Sequence, residues 1–254
     1  MRDSLRNIMV MIELEIRRMR HDRTEFYTRA VQPILWLVIY GTIMGAAKVI
    51  PTGGIPYTAY ITPGILIHST TFVSIFFGLT IVWERDSGIL KKLLVTPTSR
   101  YAIVAGRSMA AGVRALFQVV IIIPVALLIG VAFVPNPAYF AMAFFVIFIS
   151  SAAFAAMSIF LASLMKTRER FMGIGQAITF PLFFASTALY PLEMMPHAIR
   201  VLAAFNPMSY VIDAVRSLII TGNLASLPID LGAIFLFFVL MLAVASASFK
   251  KIIE

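Results

Sequence analysis

At 254 residues, 60% of them apolar, and with a mean hydropathy of +0.93, the chain is too greasy for a soluble domain, where apolar usage is nearer half. It reads as an integral membrane protein of one domain, with most of its length spent in spans. The absence of cysteine excludes a disulfide framework and a thiolate metal site, and the placement of the +9 net charge reads as membrane topology rather than a nucleic-acid footprint.

Residues 1–29 predict an amphipathic helix. Leu5, Ile8, Met9, Ile12, Ile16 and Met19 recur at three-to-four spacing, with arginines and acids between them. Such a helix suits the headgroup layer, apolar side down and arginines on anionic lipid; the alternative is a helix packed on its own protein. Six apolar segments follow, at 31–49, 60–83, 109–134, 138–165, 171–190 and 230–249, each of a length to cross about 30 Å of hydrocarbon. The first is longer than a signal-peptide core and begins well inside the chain, so it reads as an uncleaved span. Pro124 is expected to kink the third. Turn-forming joints separate the segments: Pro51-Thr52-Gly53-Gly54, Pro135-Asn136-Pro137 and Lys166-Thr167-Arg168-Glu169-Arg170. Lysine and arginine gather in the arm, between spans two and three, between four and five, and at Lys250-Lys251. With six spans all four regions share one face, which predicts that both termini are cytoplasmic.

Several chemistries are missing. There is no GxxxxGK[ST] phosphate loop, no HExxH zinc pair and no GxSxG elbow, and His21, His68 and His197 lie in different regions. No catalytic or metal site is therefore expected, and no cofactor bound by this chain. The spans are nearly free of the acids and bases that ion coupling needs. They offer Trp36, Tyr40, His68, Thr70, Gln118, Gln176 and Thr179 instead, a candidate pathway for a wide apolar or amphipathic cargo. The same residue types also serve ordinary helix packing, and Ser150-Ser151-Ala152-Ala153 with Ala155, Ala156 and Ser158 reads as a packing face. The rival class is an ion-coupled secondary transporter or a channel. Without intramembrane charge, uphill transport needs an energy source on a partner.

The loop between spans two and three is where such a partner would act. Ile89, Leu90, Leu93 and Leu94 form one helical stripe, with Lys91 and Lys92 pointing elsewhere. Asp86 or Ser87 can cap the start, Gly88 falls just inside, and Pro97 ends the helix at Thr96. A helix over 87–96 is too short to be stable alone. It needs a groove for its leucines, with Glu84, Arg85 and Asp86 on one side and Arg100 on the other setting the register. The alternative is an interfacial helix lying on lipid.

The segment 191–228 is too long for a loop and too interrupted to span. Pro196 and Pro207 suit first helical positions, and Asn206 suits a cap. They predict helices over His197 to Phe205 and Met208 to Ile220, with Gly222 ending the second. Asp213 and Arg216 stand three apart and can pair. The plain reading is an extracellular interfacial hairpin.

The run Glu84-Arg85-Asp86-Ser87-Gly88-Ile89-Leu90-Lys91-Lys92-Leu93-Leu94-Val95-Thr96-Pro97-Thr98-Ser99-Arg100 resembles the coupling helix of permease subunits in the type 2 export class of ABC transporters. A second match is Tyr190-Pro191 through Pro196, then Phe205-Asn206-Pro207, Tyr210, Asp213 and Arg216. With six spans, the arm and both ends inside, the resemblance covers the whole chain, and its loop wording is most similar to drug-resistance (daunorubicin-type) and nodulation-factor export permeases. It implies an all-α membrane protein that forms a dimer, a homodimer by preference, on two separate ATPase subunits that hold ATP and Mg. It implies ATPase docking through Glu84, Arg85, Asp86, Gly88, Ile89, Leu90, Leu93, Leu94, Thr96, Pro97 and Arg100, and makes the arm the connecting helix. The segment 191–228 would re-enter the outer leaflet as an external gate built on Tyr190, Pro191, Pro196, Phe205, Asn206, Pro207, Tyr210, Asp213 and Arg216. The cargo implied is a drug-like or lipid-like compound moved outward across a prokaryotic cytoplasmic membrane, the alternative being a lipid-linked glycan or polysaccharide.

Overall fold

The computed structural model describes residues 2–21, 23–89 and 99–249, with side chains at residue 6, at 8–17 and from 27 onward. Every regular element among them is helical. Helix α1 (Arg2–His21) is followed by α2 (Arg23–Leu35), which passes through a π-helical turn at Trp36–Tyr40 into α3 (Gly41–Ala47). Leu35 and Gly41 on either side of that turn are both right-handed helical, so the chain from 23 to 47 is one rod. The expected border between arm and span at residue 30 thus falls inside a continuous helix. Lys48 ends the rod in the left-handed region, at φ 51°.

Helix α4 (Tyr57–Asp86) is the most buried of the long helices, with 78% of its apolar window inside the structure. Helix α5 (Arg100–Leu128) starts on Ser99, whose hydroxyl accepts from the Ala102 amide at 3.2 Å. It stops where Gly130 takes φ 85° and returns its amide to Leu127 O. Helix α6 (Pro137–Leu164) has Pro137 in its first turn and Asn136 as cap, and α7 (Arg168–Phe184) is capped by Thr167. After a 3₁₀ turn at Leu192–Met194 come α8 (His197–Phe205) and α9 (Pro207–Arg216). A second π-helical turn, Ser217–Thr221, then stops at Gly222 with φ 70°. Helix α10 (Leu227–Ser248) closes the described chain.

Five of these helical stretches are long and apolar enough to cross a membrane: Tyr27–Ala47, α4, α5, α6 and α10. The pair α8 and α9, bent by 81°, would make six if it counted as one span. Helix α7 is shorter, at 17 residues, or about 26 Å. The segment expected to span at 171–190 is therefore helical only to Phe184, and turns carry it on to Tyr190.

Helix α6 occupies the middle of the bundle, packed on α4, α5 and α10. Its small residues 150–153, 155, 156 and 158 are all buried, as expected of a packing face. They let the backbones approach: the Gly78 amide of α4 donates to Ser158 Oγ at 3.0 Å, and a Cβ on Gly112 of α5 would stand 2.8 Å from Phe148 O. At the start of α6, the Val134 amide reaches Ile219 O in the second π turn, at 2.9 Å.

One expected boundary and one expected placement differ in the structure. The third span was expected at 109–134, but its helix begins nine residues earlier, with Arg107 and Arg114 inside it. Both cations have carboxylate partners on other helices, Glu84 and Glu15, so neither forces the helix to end. The arm, expected apolar side down on lipid, lies along α5. Ile8, Met11, Glu15 and Ile16 are buried or half-buried, while Met9, Val10 and Leu14 remain exposed. Gly106 makes this contact close, since a Cβ there would stand 2.6 Å from Met11 Sδ.

Candidate functional site

Two groups of polar contacts stand out, one at each end of α4. The first gathers on its last turn. Glu84 Oε2 pairs with Arg107 Nη2 of α5 at 2.5 Å. Arg85 donates to Met165 O at 2.7 Å and to Lys166 O at 2.8 Å, covering carbonyls at the end of α6. Asp86 Oδ2 accepts from Arg168 Nε at 3.1 Å, and the same guanidinium stacks 3.9 Å above the Trp83 ring. Four consecutive residues, Trp83 to Asp86, thus reach α5, the α6–α7 joint and the first turn of α7. The sequence reading gave Glu84, Arg85 and Asp86 to a partner's groove; the structure gives each a partner within the chain.

Helicity was expected from Ser87. Instead Ser87 and Gly88 end α4: the Ser87 amide returns to Trp83 O, and Gly88 takes φ 73° as a left-handed C-cap. Gly88 is needed to stop α4, which places it ahead of any docking helix rather than within one. Ile89 is exposed, and Arg100 opens α5, also exposed. Leu90, Leu93, Leu94, Thr96 and Pro97 lie outside the described residues.

The second group surrounds the turns after α7. An unwound helix end leaves carbonyls without amide partners, and buried ones must be satisfied by something else. Here side chains do it. Asn206 Nδ2 donates to Leu182 O at 2.7 Å and Ala185 O at 2.8 Å, while its Oδ1 accepts from the Met208 amide at 2.9 Å. Arg216 Nη2 donates to Thr187 O at 2.6 Å, and Tyr60 OH to the same oxygen at 3.2 Å. Tyr57 OH takes Leu189 O at 3.0 Å, and Tyr190 OH takes Phe184 O at 2.6 Å. Arg216 is fixed further by Asp213, at 2.6 Å, and by the face of Tyr60, 4.0 Å away. Asp213 in turn accepts from the Thr187 hydroxyl at 2.8 Å. The expected Asp213–Arg216 pair is present, as the hub of a wider network.

The remaining residues expected in a gate have plainer places. Pro191 and Pro196 precede the 3₁₀ turn and α8, Pro207 opens α9, and Tyr210 OH donates to Ala204 O at 2.6 Å. Phe205, at the bend, is 84% exposed.

The expected pathway residues divide. Trp36 and His68 come together around Phe183, and Tyr40 lies against Trp36. Trp36 lies 5.1 Å from Tyr40 and 6.1 Å from Phe183, and His68 lies 4.1 Å from Phe183. A cavity of about 150 Å³ opens beside them between α2 and α4, lined by Gln32, Trp36, His68, Ser69 and Phe72 among others. His68 Nδ1 has no hydrogen-bond partner among the described residues. Thr70 and Thr179 bond carbonyls of their own helices, Gln118 bonds Arg29 O at 3.3 Å, and Gln176 is exposed.

Sequence reasoning missed Tyr57, Tyr60, Thr187, Arg168, Arg107 and the Arg114–Glu15 pair. For the last a signal existed: an arginine in an apolar helix and an acid on an amphipathic one each need a partner.

Comparison with known proteins agrees with this architecture. The chain is 28% identical over 235 residues to the ycf38 transport permease of Cyanophora paradoxa, covering 88% of this chain and 81% of that protein. Over 221 residues it is 24% identical to nodulation protein J of Rhizobium leguminosarum bv. viciae, with 86% and 84% covered. It is 28% identical over 199 residues to DrrC of Mycobacterium tuberculosis, named a doxorubicin resistance ABC transporter permease, with 77% and 70% covered. The sequence pattern described as ABC-2 type transporter matches residues 6–220, and the chain belongs to that family of multi-pass membrane permeases.

Proposed function

We propose that this chain is the membrane subunit of an ATP-driven exporter. Two copies bind two separate ATPase subunits, which hold ATP and Mg, and carry a hydrophobic or amphipathic compound outward across a prokaryotic cytoplasmic membrane. Both termini and the 84–100 region face the cytoplasm, where lysine and arginine gather. Helix α7 and the turns to Tyr190 make the fifth span, and 191–228 re-enters from outside. Irregular backbone at such depth is tolerated where protein satisfies it, and the contacts around Leu182 to Leu189 supply that.

The observation that carries this reading is the last turn of α4. The segment from Ile89 to Pro97 docks on an ATPase, and whatever moves it moves Trp83 to Asp86, which grip three other helices. Those charges transmit the stroke, and the leucines receive it. At the far end of α4, Tyr57 and Tyr60 hold the turns that Asp213, Arg216 and Asn206 also hold, so a push on one end of α4 reaches the external gate at the other. The cavity at Trp36 and His68 lies between and offers the cargo a mostly apolar wall of Trp36, Ile65, Phe72 and Val73, with polar groups on Gln32, His68 and Ser69.

The test is to replace Leu90 and Leu94 together by Ala in the permease co-expressed with its ATPase. The expected result is loss of co-purification or of permease-stimulated ATP hydrolysis. Unchanged association and unchanged stimulation would sink the docking claim, and uphill flux in vesicles carrying the permease alone under an ion gradient would favour a secondary transporter.

A further inference from the structure

Pro33 stands inside α2 and has no amide to return to the carbonyl four residues back, that of Arg29. Another helix takes that oxygen: Gln118 Nε2 of α5 donates to it at 3.3 Å. Gln118 is 1% exposed and sits in an otherwise apolar half of α5. An amide buried there is costly unless it is bonded, and the oxygen that Pro33 frees gives it a partner. The proline and the glutamine thus account for each other.

The rod from 23 to 47 meets its neighbours differently along its length. Past the π-helical turn at Trp36–Tyr40 it lies close on α4. A Cβ on Gly41 would stand 3.5 Å from Ile61 Cγ2, and one on Gly45 3.9 Å from Tyr57 Cβ. Before that turn, the cavity of about 150 Å³ separates the rod from α4. Its described lining runs from Thr28 to Trp36 on the rod and from Ile65 to Val73 on α4, with nothing from α5. The gap therefore faces α4, while the bond at Arg29 O faces α5. From Arg29 to Gly41 the rod rises about 18 Å and passes from the hold of α5 to contact with α4. The proline and the π turn, the usual sites of departure from a straight helix, lie between those two points.

A gap with such walls needs something to keep it open, because Trp36, Ile65, Phe72 and Val73 would gain dispersion contacts by closing it. We propose that Gln118 is a positioning residue: it holds the carbonyl that Pro33 frees, ties the rod to α5, and so sets the size of group that the cavity toward α4 admits. The tie acts from outside the cavity, through the rod's main chain. Calling the admitted group a cargo rests on the permease reading above; the width of the gap does not.

The chain has no cysteine, so Ser69→Cys places a single thiol in the cavity wall. Full-length chain carrying it, in nanodiscs, is treated with the neutral reagents methyl and benzyl methanethiosulfonate. The ratio of their rates reports the width of the gap and cancels changes in thiol reactivity. Gln118→Met keeps the side-chain volume and removes the bond. It lowers the benzyl-to-methyl ratio about tenfold, the equivalent of about 1.4 kcal/mol, and weakens the protein in SDS titration. Pro33→Ala returns an amide to Arg29 O, so adding it to Gln118→Met restores resistance to SDS but leaves the ratio low. Pro33→Ala alone keeps the ratio of the Ser69→Cys parent, since a carbonyl has a second lone pair for Gln118. A glutamine that served stability alone would recover ratio and resistance together. That joint recovery, a ratio unmoved by Gln118→Met, or a low ratio with Pro33→Ala alone overturns the tie. No ATPase and no cargo enter these measurements, so such a failure leaves the permease reading intact, and failure of that reading leaves the tie standing.

Discussion

Asn206 separates two accounts of the bend between α8 and α9. As a helix cap it needs only an acceptor for the Met208 amide, and aspartate caps as well as asparagine. As a clamp it must also donate to Leu182 O and Ala185 O. Asn206→Ala removes all three bonds. Allowing about 1 kcal/mol for the cap and about 1 kcal/mol for each donated bond, the loss is about 3 kcal/mol. Taking instead the average of about 0.6 kcal/mol for interhelical bonds in a membrane protein, it is still about 2 kcal/mol. Asn206→Asp keeps the cap but turns a carboxylate oxygen toward two carbonyls at a site only 6% exposed. Burying that charge costs several kcal/mol after relaxation, more than the retained cap returns. The expected order of stability is therefore asparagine, then alanine, then aspartate. Denaturant or SDS titration of the purified permease, followed by the fluorescence of Trp36 and Trp83, measures it. An aspartate variant within about 0.5 kcal/mol of the parent, beside a clearly weakened alanine variant, matches a cap alone and would falsify the clamp.

Gly64→Ala is expected to destabilise the same region, because its Cβ would stand 2.6 Å from Ala188 O and 2.8 Å from Ala188 Cα, both backbone. Gly173→Ala, with nothing within 4 Å of its Cβ, is the control and should be neutral or stabilising in the same titration. For topology, a cysteine at exposed Asn223 should react with an impermeant maleimide on intact cells, and one at exposed Ser99 only after permeabilisation. The reverse pattern would overturn the orientation.

What the sequence made legible was whatever rests on local signals. The expected 60–83 and 138–165 lie inside or within one residue of α4 and α6, because long apolar runs there end in charge or in Asn-Pro. The α8–α9 pair was legible from Pro196, Asn206-Pro207 and Gly222, whose backbone preferences need no tertiary context. Contacts between distant residues were not. Hydropathy treats Arg107 and Arg114 as costs, and only their partners 23 and 99 residues away reverse the sign. Nothing in the sequence singles out Tyr57 and Tyr60; their hydroxyls matter because α7 unwinds more than 120 residues later. The Glu84-Arg85-Asp86 cluster was noticed for its charge, and charge alone does not say whether the partner lies inside the chain or outside it.

The bond from the Val134 amide to Ile219 O has a consequence for genetics. It joins the loop after α5 to the end of the α9 segment through main-chain atoms alone. Neither side chain takes part, so an alanine scan across both positions leaves it intact. Selection on side-chain identity would also pass over it, apart from excluding proline at 134. The hairpin and the far ends of α5 and α6 therefore share a hinge pin that side-chain mutagenesis leaves in place, exposed only by editing the backbone itself, for instance by an amide-to-ester replacement.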